Sequence, residues 1–391
     1  MKEAVQLLKD LLAIPSVNGR DDEGKMAEYL CEYFKAAGLA SFVQRLDETH
    51  ANVIAVLEGG EENPPVLWNG HLDTVPYGER AEWESDPAVP AERDGFLYAR
   101  GASDMKSGLA AMVYALCACK KSGARVPRTI RFIGTCDEEK NGLGARGILK
   151  EGLLGSAAEL LIGEPTGCRM GVAQKGCLWL EMEVSGRTSH GAYPEEGCNA
   201  VEEAAALAGD IRDYVTSYIH PVLGASTAQI TQIQGGVAPN MTPDACTLLM
   251  DIRMVPGLTK DMILAEAKRL AEERGRLAKG LFRAEFHVKN DRRAIETAPE
   301  HSFAERLSRC IEKNGLKTEL TGINYFTDAS ILAADAPEKA VLLFGPGEPG
   351  MAHKPNERVE LARYEKAIEI LMDFIAAGEV PFENNDQRHC S

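Results

Sequence analysis

The sequence predicts an α/β protein built on a sheet with parallel strand pairs and interrupted by an inserted ferredoxin-like unit. Three observations carry this. Through the first part of the chain, short apolar runs alternate with helical patterns, as in parallel α/β sheets. The apolar runs end in acidic or histidine residues, where open α/β sheets place their sites. Near 174–289 the order of elements changes to β-α-β-β-α-β, the split unit of ferredoxin-like folds.

The elements follow in order. Residues 3–12 place Ala4, Leu7, Leu8, Leu11 and Leu12 on one helical face. A second helix repeats Met26, Tyr29, Leu30, Tyr33 and Phe34 at helical spacing, and Gly38 closes it. Strands are predicted at 41–46, 52–57 and 66–69, the last leading into His71 and Asp73. A short strand at 96–99 leads to Asp104, and an apolar helix covers 109–119. The strand 128–134 runs into Thr135-Cys136-Asp137-Glu138-Glu139-Lys140. A short helix near 143–151 precedes a strand at 159–162, which ends at Glu164. In the inserted unit, strands are predicted at 177–186, 227–234, 246–253 and 282–288, with helices at 198–219 and 259–275. Helix 301–314, strand 340–344 and helix 360–376 then resume the first pattern, and 379–391 reads as a polar tail. The predicted domains are therefore 1–173 with 290–391, and 174–289.

Bulk properties narrow the function. The chain has 391 residues, 45% of them hydrophobic, enough for two or three packed domains. A formal net charge of -16 argues against nucleic acid or an anionic membrane as partner. No apolar run is long enough to span a bilayer, and the N-terminus lacks a secretory core. The 10 cysteines include no Cys-x-x-Cys and read as reduced thiols of a cytoplasmic protein. Cys117 and Cys119 sit in an apolar helix, so packing explains them better than metal binding.

Two glycine patterns, from Gly142 to Gly147 and from Gly345 to Gly350, match the dinucleotide fingerprint by letter. The first follows three carboxylates, which repel a pyrophosphate. The second contains Pro346 and Pro349 and opens no helix. Both read as turns.

The residues with a shared chemistry are His71, Asp104, Glu139, Glu164 and His353. Alone, each has an ordinary explanation: a partly buried histidine, a helix cap at Asp104, a turn residue at Glu164. Their recurrence at separate strand ends makes them candidate ligands. Two imidazoles and three carboxylates suit zinc, with cobalt or manganese as substitutes. Five ligands are too many for one catalytic zinc but suit two if a carboxylate bridges, and a water shared by two metals is acidified towards neutrality. Glu138 is placed to shuttle the proton to a leaving amine. Asp73, two residues beyond His71, is placed to fix the imidazole tautomer.

Five ordered motifs resemble one family: Gly70-His71-Leu72-Asp73-Thr74-Val75-Pro76, Arg100-Gly101-Ala102-Ser103-Asp104-Met105-Lys106-Ser107-Gly108, Asp137-Glu138-Glu139, Gly163-Glu164-Pro165-Thr166 and Ala352-His353. They are similar to those of the dinuclear zinc amidohydrolases and exopeptidases. That group includes acetylornithine deacetylase, succinyl-diaminopimelate desuccinylase, aminoacylase and glutamate-releasing carboxypeptidase.

The resemblance implies a zinc-exopeptidase-like α/β/α catalytic domain whose inserted unit is a lid that also forms a homodimer. It implies Asp104 as the bridging ligand, with His71 and Glu164 on one zinc and Glu139 and His353 on the other. Glu138 becomes the general acid/base, and the Asp104–Met105 peptide is expected to be cis. His190, in Gly186-Arg187-Thr188-Ser189-His190-Gly191-Ala192-Tyr193-Pro194, resembles a histidine that reaches the partner's site and holds the oxyanion. Asn240 and Arg253 resemble residues that bind a substrate carboxylate, although Arg253 reads equally as a structural ion pair. One departure bears on substrate: Tyr325-Phe326-Thr327-Asp328-Ala329-Ser330 stands where typical desuccinylases carry a glycine-rich loop.

The function expected is hydrolysis of the amide of an N-acyl amino acid. A dipeptidase or carboxypeptidase of the same family is the alternative within the enzyme class. A catalytically silent metal- or ligand-binding protein is the alternative outside it, and retention of Glu138 counts against that. A nucleotide-dependent oxidoreductase would need one of the two glycine turns to bind a dinucleotide.

Overall fold

A computed structural model describes residues 1–60, 63–334, 336 and 338–377. The polar tail expected at 379–391 lies outside the described residues. The chain divides into two units. One comprises Met1–Val172, Thr297–Thr321 and Ile331–Ser391, the other Ala173–Glu296 and Gly322–Ser330.

In the first unit, strands run in the order Ala40–Arg45, Ala51–Leu57, Ile130–Thr135, Val66–His71, Glu159–Ile162, Ala340–Leu343 and Met170–Gln174. The four from Ile130–Thr135 to Ala340–Leu343 are mutually parallel. Val66–His71 lies between two of them and is buried along its whole length. That explains its apolar start, Val66–Trp68, with no polar alternation, while buried Asn69 donates to the Ile133 carbonyl and the Thr135 hydroxyl, both at 3.0 Å. The outer pairs are antiparallel. The strand Met170–Gln174 was not expected. Its five buried residues are few, and Gly171 among them makes the run read as a continuation of the glycine-containing loop before it.

The helices follow their apolar stripes. Lys2–Ala13 buries the five residues predicted for it. Gly24–Ala36 buries Met26, Leu30 and Phe34, while Tyr29 reaches out to donate to Asp10 at 2.9 Å. Lys106–Ser122 is buried nearly all round, packed between Lys2–Ala13 and Leu361–Ala376. It approaches the sheet closely through Gly108, where a Cβ would overlap the carbonyl oxygen of Gly163.

In the second unit, four antiparallel strands run in the order Thr227–Gly235, Ala245–Met254, Gly176–Ser185 and Arg283–Arg292. Helices Ala200–Thr216 and Lys260–Leu277 complete the β-α-β-β-α-β order. Their core contains Leu180, Leu207, Ile211, Leu248 and Ile263. The helix expected at 198–219 is shorter, because the Asn199 side chain caps it and accepts from Val201 and Glu202.

The unit's limits also differ from 174–289. The last strand runs on to Arg292, and residues 322–330 group with this unit. Nothing in the local pattern of 322–330 announces that, since the grouping is set by tertiary contacts.

Gly108→Ala is expected to destabilise the protein by ~1–3 kcal/mol, the cost of overpacking where backbone meets backbone. Urea unfolding against wild type measures it.

Candidate active site

The four parallel strands end side by side, and each exit carries one candidate residue or group. Val66–His71 ends on His71 itself. Ile130–Thr135 leads to Glu138 and Glu139, Glu159–Ile162 to Glu164, and Ala340–Leu343 to the loop that reaches His353. Register aligns these exits, since His71 pairs with Thr135 and Asn69 with Ile162. Asp104 arrives from another direction, just before helix Lys106–Ser122, and the Asp104–Met105 peptide is cis.

The Asp104 carboxylate faces both imidazoles. One oxygen lies 3.2 Å from His71 Nε2 and the other 3.4 Å from His353 Nε2. His353 Nε2 also lies 3.1 Å from the Glu139 carboxylate. Asp104 is thus not a helix cap; the helix begins without a side-chain cap. His71, Asp104 and Glu139 bring one ligand atom each within 4.8 Å of one another. Glu164 is buried, and its charge, like that of Glu138, acts on the His71 ring.

The electrostatics are those of a site shaped for positive charge. Burial alone would lower the His71 pKa, but Asp104, Asp73, Glu164 and Glu138 together hold it well above its ordinary value. His353 is pushed up to about 10 by its hydrogen bonds to Asp104 and Glu139. Burial opposes ionisation of Asp104 too, yet the two imidazoles keep its carboxyl well below the usual range. Glu139 is raised, chiefly by burial. The two rings face carboxylates where a divalent cation would be held, and binding a cation there would release any ring protons. The donor set therefore fits a divalent metal.

Asp73 meets the His71 ring through its backbone carbonyl rather than its carboxylate. His71 Nδ1 lies 2.9 Å from the Asp73 backbone carbonyl oxygen, while the carboxylate is 3.7 Å away. The carboxylate instead accepts the backbone N–H groups of Glu138 and Glu139, both at 3.1 Å. It holds the turn that carries Glu138 and Glu139. Sequence spacing could not distinguish the two, because both oxygens lie on one residue.

Sequence reasoning missed Glu357. Its buried carboxylate accepts from Arg100 at 2.6 Å, Gly101 at 3.0 Å, Ser103 at 2.8 Å and Asp104 at 2.9 Å. It thereby ties down the loop that presents Asp104. The only signal was an acidic residue soon after His353, with no motif to single it out.

In the second unit, His190 and Asn240 lie on adjoining loops: Gly191 N–H donates to the Asn240 carbonyl at 2.8 Å, and residue 190 bridges residue 241. The His190 side chain is exposed, its Nδ1 accepting from Ala192 at 3.1 Å. Arg253 makes the structural ion pair, donating to both Asp251 oxygens at 2.7 and 3.0 Å, with its guanidinium over Phe326.

Comparison with known proteins agrees with this geometry. The model for peptidase family M20/M25/M40 matches residues 67–377. A probable succinyl-diaminopimelate desuccinylase of Staphylococcus aureus is 28% identical, over 95% of this chain and 96% of its own length. The acetylornithine deacetylase of Proteus mirabilis is 30% identical, over 95% of each chain. The crystal structure of a tripeptidase from Staphylococcus aureus superposes with a TM-score of 0.76 at 21% identity, covering 96% of this chain and 97% of that one. The chain belongs to peptidase family M20/M25/M40. It is a hydrolase acting on amide or peptide bonds. No helix among the described residues is long and apolar enough to cross a membrane.

Glu357→Gln should cost about 3–5 kcal/mol of stability, because it leaves the buried Arg100 guanidinium without its counter-charge. Chemical unfolding measures it, and a change under about 1 kcal/mol would contradict the assignment.

Proposed function

We propose that this member of peptidase family M20/M25/M40 hydrolyses the amide bond of an N-acylated amino acid, as the names of its deacetylase and desuccinylase relatives suggest. The observation that carries this reading is the Asp104 carboxylate, one oxygen on each imidazole. An oxygen apiece for two neighbouring centres is what a bridging ligand needs. His71 and Glu164 would hold one ion, Glu139 and His353 the other, with Asp104 shared. Zinc suits this mixed nitrogen and oxygen set, with cobalt or manganese as substitutes. Such a pair supplies Lewis acidity and makes a nearby water acidic enough to react at neutral pH.

The chain's own residues do the rest. Glu138, its backbone fixed by Asp73, takes a proton from the attacking water and gives it to the leaving nitrogen. The C–O bond forms, the C–N bond breaks, and the amine departs neutral. His190 would steady the oxyanion from the partner subunit of a homodimer. Asn240 would bind the substrate's carboxylate. Arg253 spends its Nε and Nη2 on Asp251, so Nη1 is what it keeps for that carboxylate. The second unit would act as lid and dimer contact. Its edge strand Thr227–Gly235 exposes Ile230 and Ile233, as an interface strand would. The cysteines among the described residues are buried free thiols, which fits a reducing, cytoplasmic setting.

Glu138→Gln is expected to keep its metal and lose about 10²–10⁴-fold in kcat. Metal analysis beside steady-state rates checks both, and normal turnover in the variant would refute the acid/base role of Glu138. A panel of N-acetyl and N-succinyl amino acids against di- and tripeptides fixes the substrate class. Faster cleavage of the peptides would replace the deacylase reading with a peptidase.

Mixed dimers of His190→Ala and Glu138→Gln chains should recover one working site each. With subunit exchange verified by mass, absence of recovery would place His190 outside the partner's chemistry.

A further inference from the structure

Behind the Glu138–Glu139 turn lies a cluster that no step above uses. Asn18, from the loop after helix Lys2–Ala13, directs its side-chain amide at three carboxylates from three segments. Nδ2 lies 2.9 Å from Asp73 Oδ2, 3.0 Å from Asp137 Oδ1 and 3.3 Å from Glu23 Oε1. All three neighbours are acceptors, so the amide nitrogen must be the end that faces them. The other oxygen of Glu23 accepts the backbone N–H of Asp137 at 2.8 Å. The Asn18 backbone is fixed as well, donating to the Thr74 carbonyl at 2.8 Å just beyond Asp73.

The turn needs this support. Asp137 has φ of 59°, a left-handed conformation that costs a non-glycine residue energy. Its side chain and backbone are gripped throughout. Oδ2 accepts from Leu143 at 3.1 Å, and the carbonyl accepts from Gly142 at 2.6 Å. Glu23, Asp73 and Asp137 are all buried. Three ionised carboxylates so close would repel strongly. Burial first, then the charge of Asp73, pushes Glu23 up to about 9, which eases that repulsion.

We propose that Asn18 and Glu23 are positioning residues: together they lock the Asp137–Glu139 turn so that Glu138 meets the scissile amide and Glu139 meets the metal. This rests on the site reading above, and it adds two residues that touch neither substrate nor metal. Their action runs through Asp73 and Asp137.

Isosteric substitutions separate positioning from bulk packing. Asn18→Asp keeps the shape but aims a fourth carboxylate at three others. Glu23→Gln keeps the shape and, through its carbonyl oxygen, the 2.8 Å bond from the Asp137 amide, giving up only the 3.3 Å contact with Asn18. Four variants (Asn18→Ala, Asn18→Asp, Glu23→Ala and Glu23→Gln) are compared by Co2+ titration with chelator competition, and by kcat and KM where a substrate is turned over. Asn18→Ala and Glu23→Ala should lose about 10–100-fold in metal affinity, the scale seen when a supporting partner of a ligand is removed. Asn18→Asp should be worse than Asn18→Ala. Glu23→Gln should recover most of what Glu23→Ala loses. The rate loss should fall on kcat rather than KM. If the alanine variants fail to fold, the two isosteres decide: Asn18→Asp weakened and Glu23→Gln near wild type supports the clamp. The clamp is overturned if Asn18→Asp binds Co2+ as wild type does, or if Glu23→Gln is as impaired as Glu23→Ala. Co2+ affinity needs no substrate, so failure of the proposed reaction leaves this test intact.

Discussion

Repulsion among buried carboxylates is the constraint under which this structure is built. Glu23, Asp73, Asp104, Asp137, Glu164 and Glu357 are all buried. Placing several acids in low dielectric is unfavourable unless each finds donors or positive charge. The protein answers each locally. Glu357 takes Arg100 and three backbone amides. Asp73 takes two amides and Asn18, and Asp104 takes two imidazoles. Asp104 differs from the others in that its partners are titratable rings that can give up their protons. It is the place where a metal ion can substitute for protons without disturbing the backbone.

The carriers of chemistry were legible because a parallel sheet fixes where they must be. A strand buried on both faces reads as an apolar run, and its exit is where polarity returns. His71, Glu139 and Glu164 were singled out by that rule, and the register places their strand exits side by side; Asp104 was singled out by it too but arrives just before helix Lys106–Ser122 instead of at the end of a parallel strand. The helical stripe of Lys2–Ala13 was legible for the same reason: every apolar residue at helical spacing is buried. The resemblance of five motifs added the family, which the family model and relatives then showed.

What was not legible depends on tertiary geometry. The Asp73 carboxylate and its own carbonyl compete for the same neighbourhood, and only coordinates show that the carbonyl meets the His71 ring. Arg253 matched a substrate-binding position by motif, yet Asp251, two residues along the same strand and on the same face, claims its guanidinium fork. Glu357, Glu23 and Asn18 support the site from segments distant in sequence, and none sits in a pattern that spacing arguments can weigh. Residues 322–330 belong with the second unit because of what they touch, while their composition resembles any loop.

The two turns that deliver opposite sides of the site share one unusual feature. Asp137 and His353 both adopt left-handed conformations, with φ of 59° and 63°. Such a conformation costs about 1–2 kcal/mol for a residue with a Cβ, and glycine would remove that cost. At 137 a glycine would also remove the carboxylate that receives Asn18 and the Leu143 amide, so the turn would lose the bonds that hold it. The left-handed residue also explains how two adjacent glutamates serve different ends. With the chain reversed at Asp137, the amides of Glu138 and Glu139 both turn inward to Asp73. The Glu139 side chain then meets His353. A regular strand would send neighbouring side chains to opposite faces of the sheet. At Glu138 and Glu139 the chain instead turns both backbone amides to one carboxylate, so the short acidic run is held at the end of its strand.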